Sequence, residues 1–340
     1  MLNVGLIGFG YWGPNLARNF HSNPDCALFA IADEDEGQRA RAKAAYPDTH
    51  VADALAVIVD ERVDAVAIAT PVSSHYGLAR AALEAGKHVF LEKPMTTTAA
   101  EAQELVALAR ERGRVLMIDH TFLFTGAVQL MKQSIDEGEL GRLFYYDSAR
   151  VNLGIYQRDV NVVWDLAPHD FSILHFLLPS LPIAVSAHGA DHFGTGLEDM
   201  AYVTLFYEDN FMAHLHLNWL APVKLRRIMV GGDKKMMVWD DLSLEEKIKI
   251  YDKGMDVTSP EGRYQLLAET RVGAMTAPVV PHVEALAKEV AYFVSCIEKD
   301  EVPFNDGVAG HAVMVLLEAT NRSLALKGET IPLDWEQLTS

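Results

Sequence analysis

The chain has 340 residues, of which 50% are hydrophobic and 22% charged, a composition typical of a folded globular protein and unlike that of a disordered one. This length exceeds one typical domain and predicts two. The 47 acidic residues outnumber the 29 basic ones, and the formal net charge of -18 is not interrupted by a basic patch, which argues against nucleic acid as a partner.

Compartment signals are few. Met1 is followed directly by the apolar stretch VGLIGFG, without a basic region or a cleavage site, so no signal peptide is predicted. No apolar run is long enough to span a bilayer, and no membrane partner is expected. Cys26 and Cys296 lack CxxC spacing, so neither a disulfide framework nor a zinc knuckle is predicted. We expect a cytoplasmic protein.

The first third of the chain alternates short β-branched runs with amphipathic segments, as repeated strand and crossover-helix units do. The predicted strands are VGLIG, CALFAIAD, VDAVAIATP, KHVFLEK and RVLMIDH. Helices are predicted at SSHYGLARAALEAG and TAAEAQELVALARERG, where Thr98 and Glu101 form a capping-box signature and Gly113 marks the C-terminal cap. This order predicts a doubly wound parallel sheet in residues 1–121.

After residue 121 the pattern changes to longer alternating runs, AYVTLFYEDNFMAHLHLNW and RRIMVGGDKKMMVW. Hairpin turns are predicted at Asp209-Asn210 and at Gly231-Gly232-Asp233. Two helical patterns close the chain. The predicted class is α/β: a Rossmann domain in residues 1–121 and, in residues 122–340, an α+β domain for substrate binding and oligomerisation with a large, mostly antiparallel open sheet.

The stretch GFGYWG places Gly8, Gly10 and Gly13 in a GxGxxG pattern directly after the first strand. Such glycines permit a tight turn, let backbone approach a pyrophosphate, and let the next helix pack closely. A glycine-rich turn without a ligand is the alternative, and Asp33, 20 residues beyond Gly13 at the end of the next strand, argues against it. Because an acidic residue there binds ribose hydroxyls and repels a 2′-phosphate, while residues 34–36 supply no cation, NAD is favoured over NADP.

A second cluster is FLEKPM, residues 90–95, at the end of a predicted strand. Ligands of open α/β sheets gather at the carboxyl ends of strands, so Lys93 lies where a reactive group is expected. The alternative is a solvated loop lysine paired with Glu92.

Three stretches, GLIGFGYWGPNLARNF, AIATPVSSHYGLARAALEAGKHVFLEKPM and MIDHTFLF, resemble the successive N-terminal signatures of the glucose-fructose oxidoreductase, inositol dehydrogenase and MocA family. The resemblance implies an NAD(P)-binding domain, a second open-sheet domain and an active site between them. It also implies that Lys93 touches both substrate and nicotinamide, and that Lys93-Pro94 is cis. The cofactor-binding residues that follow from the motifs and the resemblance are Gly8, Phe9, Gly10, Tyr11, Trp12, Gly13, Asp33, Thr70, Pro71, His75, Glu92, Lys93 and His120.

The stretch VWDLAPHDFSILH, residues 163–175, carries charged groups in an otherwise apolar helical pattern. Members of the family carry an Asp and a His four apart at the start of a second-domain helix, and Asp165 and His169 match that spacing. A helix places both on one face. We expect Asp165 to cap this helix, Pro168 to lie in its first turn, and His169 to lie near its positive end. Asp170 and His175 are interpreted as structural.

The remaining polar residues have structural alternatives. Arg150, Arg158 and Lys224 are candidates to contact a pyrophosphate or, alternatively, solvated surface cations. The pairs His188/His192 and His214/His216 invite a metal hypothesis, but no further ligand completes either set, so no metal is predicted. Leu215, Leu217 and Trp219 are predicted to belong to the core.

The sequence therefore predicts an NAD-dependent dehydrogenase in which Lys93, Asp165 and His169 are catalytic. Through GYWGPN, DHTFLF and VNLGIYQRDVNVVWDLAPHD it resembles the subgroup that oxidises nucleotide-linked sugars such as UDP-N-acetylglucosamine at C3. A free-sugar or inositol dehydrogenase and a dinucleotide-sensing regulator are the alternatives. The resemblance also implies a homodimer or homotetramer packed through the second-domain sheet. The exact sugar and the direction of the reaction stay open.

Overall fold

A computed structural model describes residues 1–153, 160–252, 254–256, 269–271 and 273–335. These residues form two compact units: unit 1 contains Met1–Thr125 and Val283–Glu318, and unit 2 contains Gly126–His282 and Ala319–Asp334. Each unit is built around one large sheet.

The elements up to residue 125 alternate strands and helices. They are β1 (Leu2–Ile7), α1 (Gly13–Ser22), β2 (Cys26–Ala32), α2 (Glu36–Ala45), β3 (His50–Ala52), α3 (Ala54–Val59), β4 (Ala65–Ile68), α4 (Val72–Glu84), β5 (His88–Glu92), α5 (Ala99–Arg112), β6 (Leu116–Asp119) and a 3-10 turn, Thr121–Phe124.

The elements of residues 126–282 are mostly strands. They are α6 (Gly126–Asp136), β7 (Leu143–Leu153), α7 (Val162–Leu177), β8 (Ala184–Ala190), β9 (Met200–Phe206), β10 (Met212–Asn218), β11 (Leu220–Gly232), β12 (Met236–Asp240), β13 (Ile248–Tyr251), β14 (Gly254–Asp256), β15 (Glu269–Arg271) and β16 (Met275–Thr276). The chain closes with α8 (Ala285–Lys299), α9 (Gly307–Ala325) and β17 (Ile331–Pro332).

The sheet of unit 1 is parallel, in the order β3-β2-β1-β4-β5-β6. The central residues of its strands are apolar because helices cover both faces of such sheets; Val4, Leu6, Val66 and Leu91 are fully buried. The order reverses direction between β1 and β4, which creates the crevice where ligands of this architecture bind. The predicted parallel sheet is confirmed, and the short β3 is an additional strand.

Helix α8 joins unit 1 through aromatic side chains. Phe293 on α8 lies 5.4 Å from Phe90 on β5 and 6.4 Å from Phe20 on α1, measured between ring centroids in edge-to-face geometry. The segment before α9 covers the open edge of β6, since the Ile118 N–H donates to the Asn305 carbonyl oxygen at 2.9 Å and the Asn305 side-chain amide donates to the Ile118 carbonyl oxygen at 2.8 Å. These contacts place α8 beside the carboxyl ends of β5 and β6.

The sheet of unit 2 has the order β16-β13-β12-β11-β7-β10-β9-β8-β17, and every described neighbour pair except β7 with β10 is antiparallel. One face is buried and the other is partly exposed, which produces the alternation seen in the sequence. The turn at Asp209-Asn210 is confirmed, with both residues at positive φ. The turn predicted at Gly231-Gly232-Asp233 lies instead at 233–235, because Gly231 still pairs in β11. A side chain at Gly231 would collide with the Tyr145 ring.

Candidate functional site: a dinucleotide crevice and an acid–base helix

The glycine turn has the geometry that a dinucleotide requires. Gly8 has φ +98°, and a Cβ there would lie 2.5 Å from the Ala69 carbonyl oxygen. A Cβ on Gly13 would overlap the Gly8 carbonyl group, whereas nothing lies within 4 Å of the Cβ position of Gly10. The first and third glycines are therefore required by packing, and the middle one faces open space at the N-terminal end of α1. A pyrophosphate fits this cradle.

The three aromatic residues of the turn take different positions. Phe9 is buried and packs edge-to-face against Tyr46 at 6.3 Å between ring centroids. Tyr11 projects outward and is 89% exposed. The Trp12 indole Nε1 donates to Asp119 Oδ2 at 3.0 Å, which links the turn after β1 to the end of β6.

Asp33 is fixed beside the same turn. Its Oδ2 accepts a hydrogen bond from the Phe9 N–H at 2.6 Å and its Oδ1 accepts one from the Asp35 N–H at 2.9 Å. The sequence analysis missed Arg39, whose guanidinium donates to the carbonyl oxygens of Asp33 and Glu34 at 2.8 and 2.9 Å. The first turn of α2 therefore supplies a cation beside the backbone of Asp33, although residues 34–36 supply none.

His75 ties two backbone segments together. It is buried on α4, with Nδ1 2.9 Å from the Pro94 carbonyl oxygen and Nε2 2.8 Å from the Thr70 carbonyl oxygen. Burial lowers the pKa of this imidazole, and the neutral ring has one N–H to donate, so only one of the two carbonyls accepts at a time. The segment after β4, with Thr70 and Pro71, is thereby held against the peptide that follows Lys93.

Lys93 follows β5 directly and is half-buried. The Lys93-Pro94 peptide is cis, as the resemblance implies. Glu92, the last residue of β5, pairs in register with Asp119, the last residue of β6. The carboxyl ends of two adjacent strands thus carry a lysine and two carboxyl groups at the edge where ligands of this architecture bind.

Glu289 on α8 completes a group that the sequence analysis did not identify. Its Oε1 accepts hydrogen bonds from the His120 backbone N–H at 3.0 Å and from Asn305 Nδ2 at 3.1 Å. Asp119 and Glu289 are buried. Burial, and next the carboxylate of Asp119, raise the pKa values of both Glu92 and Glu289. We call Glu92, Asp119 and Glu289 the strand-end carboxyl cluster.

In unit 2, α7 begins earlier than the sequence predicts. Asn161 is the N-cap, and its side chain accepts a hydrogen bond from the Trp164 N–H at 3.2 Å. The expectation that Asp165 caps the helix is therefore wrong, since Asp165 already lies in the first turn. Pro168 lies inside the helix and not in its first turn. His169 is two turns from the N-terminus, where the helix dipole has little effect, so the expected influence of the positive end on His169 falls away.

The side chain of Asp165 is held by Trp219. The buried indole Nε1 of Trp219, just after β10, donates to Asp165 Oδ2 at 2.9 Å. Asp165 and His169 are both half-buried on α7, and their spacing of four places them on one face, one turn apart. The predicted core position of Trp219 is confirmed, and its hydrogen bond adds a role that the sequence did not reveal.

Asp170, next to His169, is the centre of a buried ion pair. Its carboxylate accepts hydrogen bonds from Arg150 Nε at 2.9 Å, from Ser148 Oγ at 2.7 Å and from Tyr146 Oη at 3.3 Å. Arg150 is only 3% exposed, so the interpretation of Arg150 as a solvated surface cation is wrong. Lys224 is exposed on β11, and Arg158 lies outside the described residues.

The histidine pairs considered as metal ligands lie on β8 and β10 of the unit 2 sheet or just after β8. His214 and His216 share the partly exposed outer face of this sheet and stack against Tyr202, with ring centroids 5.9 and 4.5 Å apart. His192 Nδ1 lies 2.6 Å from the buried carboxylate of Asp199. Within the residues that the structure describes, no three His, Cys, Asp or Glu side chains are arranged to hold a metal ion. No helix in the described part of the chain is both long and apolar enough to cross a membrane.

Comparison with known proteins identifies the family. Residues 2–120 match the model of the GFO/IDH/MocA oxidoreductase family, NAD-binding Rossmann fold, and residues 128–238 match the GFO/IDH/MocA C-terminal domain. The uncharacterised oxidoreductase YdgJ of Escherichia coli is 32% identical over 264 residues, 72% of this chain and 73% of that protein.

Two further relatives have assigned activities. UDP-N-acetylglucosamine 3-dehydrogenase of Acidithiobacillus ferrooxidans is 28% identical over 92% of this chain and 94% of its own length. Its crystal structure superposes with a TM-score of 0.82 at 26% identity and covers 96% of this chain and 98% of that one. Inositol 2-dehydrogenase of Rhizobium meliloti is 25% identical over 96% of this chain and 98% of that protein. The chain belongs to the GFO/IDH/MocA family of oxidoreductases and carries its NAD-binding domain.

Proposed function

We propose that the protein oxidises a secondary alcohol of a sugar with NAD, or reduces the corresponding ketone, and that Lys93, Asp165 and His169 carry the reaction. The observation that carries the proposal is the Asp165 carboxylate, held by the Trp219 indole one turn before a half-buried histidine. A fixed carboxylate and an imidazole on one helix face are the parts of a proton-transfer pair. A dinucleotide sensor has no need of such a pair, which disfavours the regulator alternative.

Each residue has a distinct role. Bound NAD supplies the hydride acceptor, and the protein supplies binding, orientation and proton transfer. The Lys93 ammonium orients and polarises the reacting oxygen, and His169 takes the hydroxyl proton in the oxidation or returns it in the reduction. Asp165 orients the imidazole, and Trp219 fixes Asp165. Because His169 lies beyond the first turn of α7, its basicity is set by neighbouring side chains and not by the helix dipole.

For the substrate we propose a nucleotide-linked sugar, with UDP-N-acetylglucosamine oxidised at C3 as the first choice. The support is the similarity to the Acidithiobacillus ferrooxidans enzyme over nearly the full length of both chains. The relative named inositol 2-dehydrogenase, similar over almost as much of the chain, keeps a free polyol as the alternative. Binding energy from a remote diphosphate can be used to orient the reacting carbon, so the two alternatives differ in how truncation of the substrate affects turnover.

The test is NADH formation by the purified protein with UDP-N-acetylglucosamine, free N-acetylglucosamine and myo-inositol. We expect a 3-keto product from the nucleotide sugar and a much lower kcat/KM for the free sugar. Comparable kcat/KM values on the free sugar or on inositol support the polyol alternative instead. No NADH from any sugar, with NAD binding intact, contradicts the enzymatic proposal and favours the regulator.

His169→Asn tests the proton-transfer role, because asparagine keeps a hydrogen-bonding side chain and removes the base. General acid–base catalysis contributes about 10²- to 10⁴-fold, and kcat should fall by about that factor while NAD binding persists. His175→Asn, six residues further along α7, is the matched control and should leave kcat within about twofold, because a spacing of six places this histidine on a different face of the helix from His169. Unchanged turnover in the His169 variant excludes the assignment.

The preference for NAD over NADP can be tested at Asp33. Asp33→Ser removes the carboxylate that faces the ribose, while Arg39 remains beside the same loop to meet a 2′-phosphate. We expect the single variant to gain affinity for NADP and the Asp33→Ser/Arg39→Gln variant to lose that gain, both measured by calorimetry. Equal affinity of the unaltered protein for the two cofactors argues against the role of Asp33.

We further propose that the protein forms homo-oligomers through the outer face of the unit 2 sheet. On β9 and β10 this face carries Tyr202 and Met212, 40% and 44% exposed, beside the stacked His214 and His216. Apolar and aromatic groups collected on one face mark an interaction surface. Light scattering should report a dimer or tetramer, and Tyr202→Glu should shift it toward the monomer; a monomeric unaltered protein contradicts the proposal.

A further inference from the structure

The strand-end carboxyl cluster has a shortage of hydrogen-bond donors. Asp119 accepts from the Trp12 indole at 3.0 Å and from the backbone N–H and hydroxyl of Thr121 at 3.2 and 2.5 Å. Oε1 of Glu289 has two donors, but its Oε2 and the Oε2 of Glu92 are buried and meet no donor among the described residues. A proton held between two neighbouring carboxyl groups supplies the donor that such an oxygen lacks.

The charges around the cluster do not compensate for three ionised carboxylates. Lys93 after β5 faces Glu92 and favours its ionised form, and His120 contributes its backbone N–H to Glu289. Against these stand the burial of Glu92 and Glu289 and the carboxylate of Asp119, which both raise the pKa values of the two glutamates. Burial and the neighbouring carboxylate therefore favour a proton on the cluster at a pH where an exposed glutamate is ionised, and a nearby positive charge can displace such a proton.

The topology of unit 1 places this cluster beneath one half of a dinucleotide. In a doubly wound sheet the dinucleotide spans the crevice where the strand order reverses, here between β1 and β4. The glycine cradle follows β1, and Asp33 follows β2, so the adenosine half of a bound dinucleotide would lie over that side. The other half would extend across β4 toward the ends of β5 and β6, where Glu92 and Asp119 end their strands. Trp12 connects the cradle to Asp119 directly.

The two redox forms of the dinucleotide differ in charge at that half: the oxidised nicotinamide ring carries a positive charge and the reduced ring carries none. We propose that the strand-end carboxyl cluster determines the preference of this protein for oxidised over reduced dinucleotide, by giving up a proton when the positive ring binds. This inference rests on the proposed NAD-dependent function and assigns to Glu92 and Glu289 a specificity role apart from proton transfer to the substrate.

Two consequences follow from linkage between proton and ligand binding. Binding of NAD⁺ releases a proton to the solvent, and binding of NADH releases little or none. The affinity for NAD⁺ therefore rises with pH up to the raised pKa of the cluster, with a slope in log units equal to the number of protons released, while the affinity for NADH stays nearly constant.

The experiment is calorimetric titration of the full chain with NAD⁺ and with NADH in two buffers of different ionisation enthalpy, which counts released protons directly. Glu289→Gln is the test variant, because glutamine keeps the shape and the Oε1 acceptor but cannot ionise. We expect it to release less proton on binding NAD⁺ and to reduce the NAD⁺-over-NADH preference at about pH 8 by about three- to tenfold. Glu92→Gln should act in the same direction and serves if Glu289→Gln does not fold.

Glu284→Gln is the matched control. It removes the same formal charge from the N-terminal end of α8, where Glu284 is partly exposed and paired with Arg18, and proton release should match that of the unaltered protein. Equal proton release for NAD⁺ and NADH, or full release in both Glu289→Gln and Glu92→Gln, overturns the inference. If NAD⁺ and NADH bind without proton release, the inference fails and the proposed dehydrogenase function still stands. That function fails separately if no sugar yields NADH.

Discussion

The two units bury carboxyl groups in opposite ways. In unit 2, Asp170 faces Arg150, and two hydroxyl groups complete its hydrogen bonds. In unit 1, the half-buried Glu92 and the buried Glu289 lie beside Asp119, and each has a buried oxygen without a donor among the described residues. The first arrangement pairs the carboxylate with a cation and two hydroxyl donors, whereas in the second burial and a neighbouring carboxylate raise the pKa values of both glutamates.

A buried carboxyl group can therefore stabilise the structure in one setting and respond to a ligand in another. An ion pair with full hydrogen bonding fixes geometry, and here it fixes the helix that carries His169. A cluster that needs protons stays responsive to any charge that arrives, and it lies where a charged cofactor is expected. A buried carboxyl group thus anchors a helix in unit 2, and we expect buried carboxyl groups to titrate in unit 1.

Removing the anchor should produce the largest effect on stability. Asp170→Ala leaves the Arg150 guanidinium buried without its carboxylate, and breaking a buried pair in this way costs about 3–5 kcal/mol. Urea unfolding should show that loss. The double replacement Arg150→Met/Asp170→Leu should cost clearly less than Asp170→Ala, because no buried charge remains. A loss below about 1 kcal/mol for Asp170→Ala is incompatible with the anchoring role.

The protonated cluster should make stability depend on pH with the opposite sign to an ordinary ion pair. The pKa of Glu289 is raised in the folded protein, whereas the unfolded chain releases its proton above about pH 4.3. The folded state then binds more protons, so the free energy of unfolding falls as pH rises, by about 1.4 kcal/mol per pH unit for each proton retained. This fall extends from about pH 4.3 up to the raised pKa.

Glu289→Gln should flatten that dependence, and Glu284→Gln should not. Urea unfolding of the three proteins at several pH values between about 5 and 8 measures the slopes. Parallel slopes for the unaltered protein and Glu289→Gln indicate that Glu289 is ionised in the folded state.

The hydrogen bond from Trp219 to Asp165 should have an intermediate effect. Trp219→Phe keeps an aromatic ring in the core but removes a donor to a carboxylate, which costs about 2 kcal/mol. Turnover should fall as well, by about tenfold, since a misplaced catalytic group loses rate. Trp239→Phe, the same truncation at an equally buried residue of β12, should lower stability without lowering kcat. Equal losses of kcat in the Trp219→Phe and Trp239→Phe variants would contradict a positioning role for Trp219.

Removal of a helix cap should have the smallest effect on the free energy of unfolding. One cap in each unit allows the two units to be compared. Thr98→Ala breaks the capping box of α5 in unit 1 and should cost about 1 kcal/mol. Asn161→Ala should cost more, about 2 kcal/mol, because Asn161 also donates to Glu198 and Asn321 at 2.8 and 3.0 Å. Thermal or urea unfolding ranks the two; the reverse order indicates that the side-chain contacts of Asn161 add nothing.

Local patterns predicted much of this fold. The five apolar runs of the first third are β1, β2, β4, β5 and β6, and the Thr98 capping box and the Asp209-Asn210 hairpin lie where their residue types indicate. These features depend on neighbours in sequence. The three-residue β3 is too short to produce a periodic signal.

Features that depend on distant partners were not predictable in this way. Asn161 and Asp165 are both suitable cap residues, and the contacts of Asn161 with Glu198 and Asn321 favour the earlier start of α7. Glu289 interrupts the apolar face of α8, but it lies 169 residues from His120, and the helical pattern does not reveal which surface covers that face. From the sequence alone Arg150 is interpreted as a surface cation, because the sequence does not reveal its pairing with Asp170.

Infrared difference spectroscopy at neutral pH tests the contrast between the two sites most directly, because protonated and ionised carboxyl groups absorb at different frequencies. For unaltered protein minus Glu289→Gln, the account predicts the loss of a protonated carboxyl C=O band. For unaltered protein minus Asp170→Asn, it predicts the loss of carboxylate bands only. A Glu289→Gln spectrum that loses only carboxylate bands would contradict the account, because the strand-end carboxyl cluster would then hold no proton at Glu289 to release.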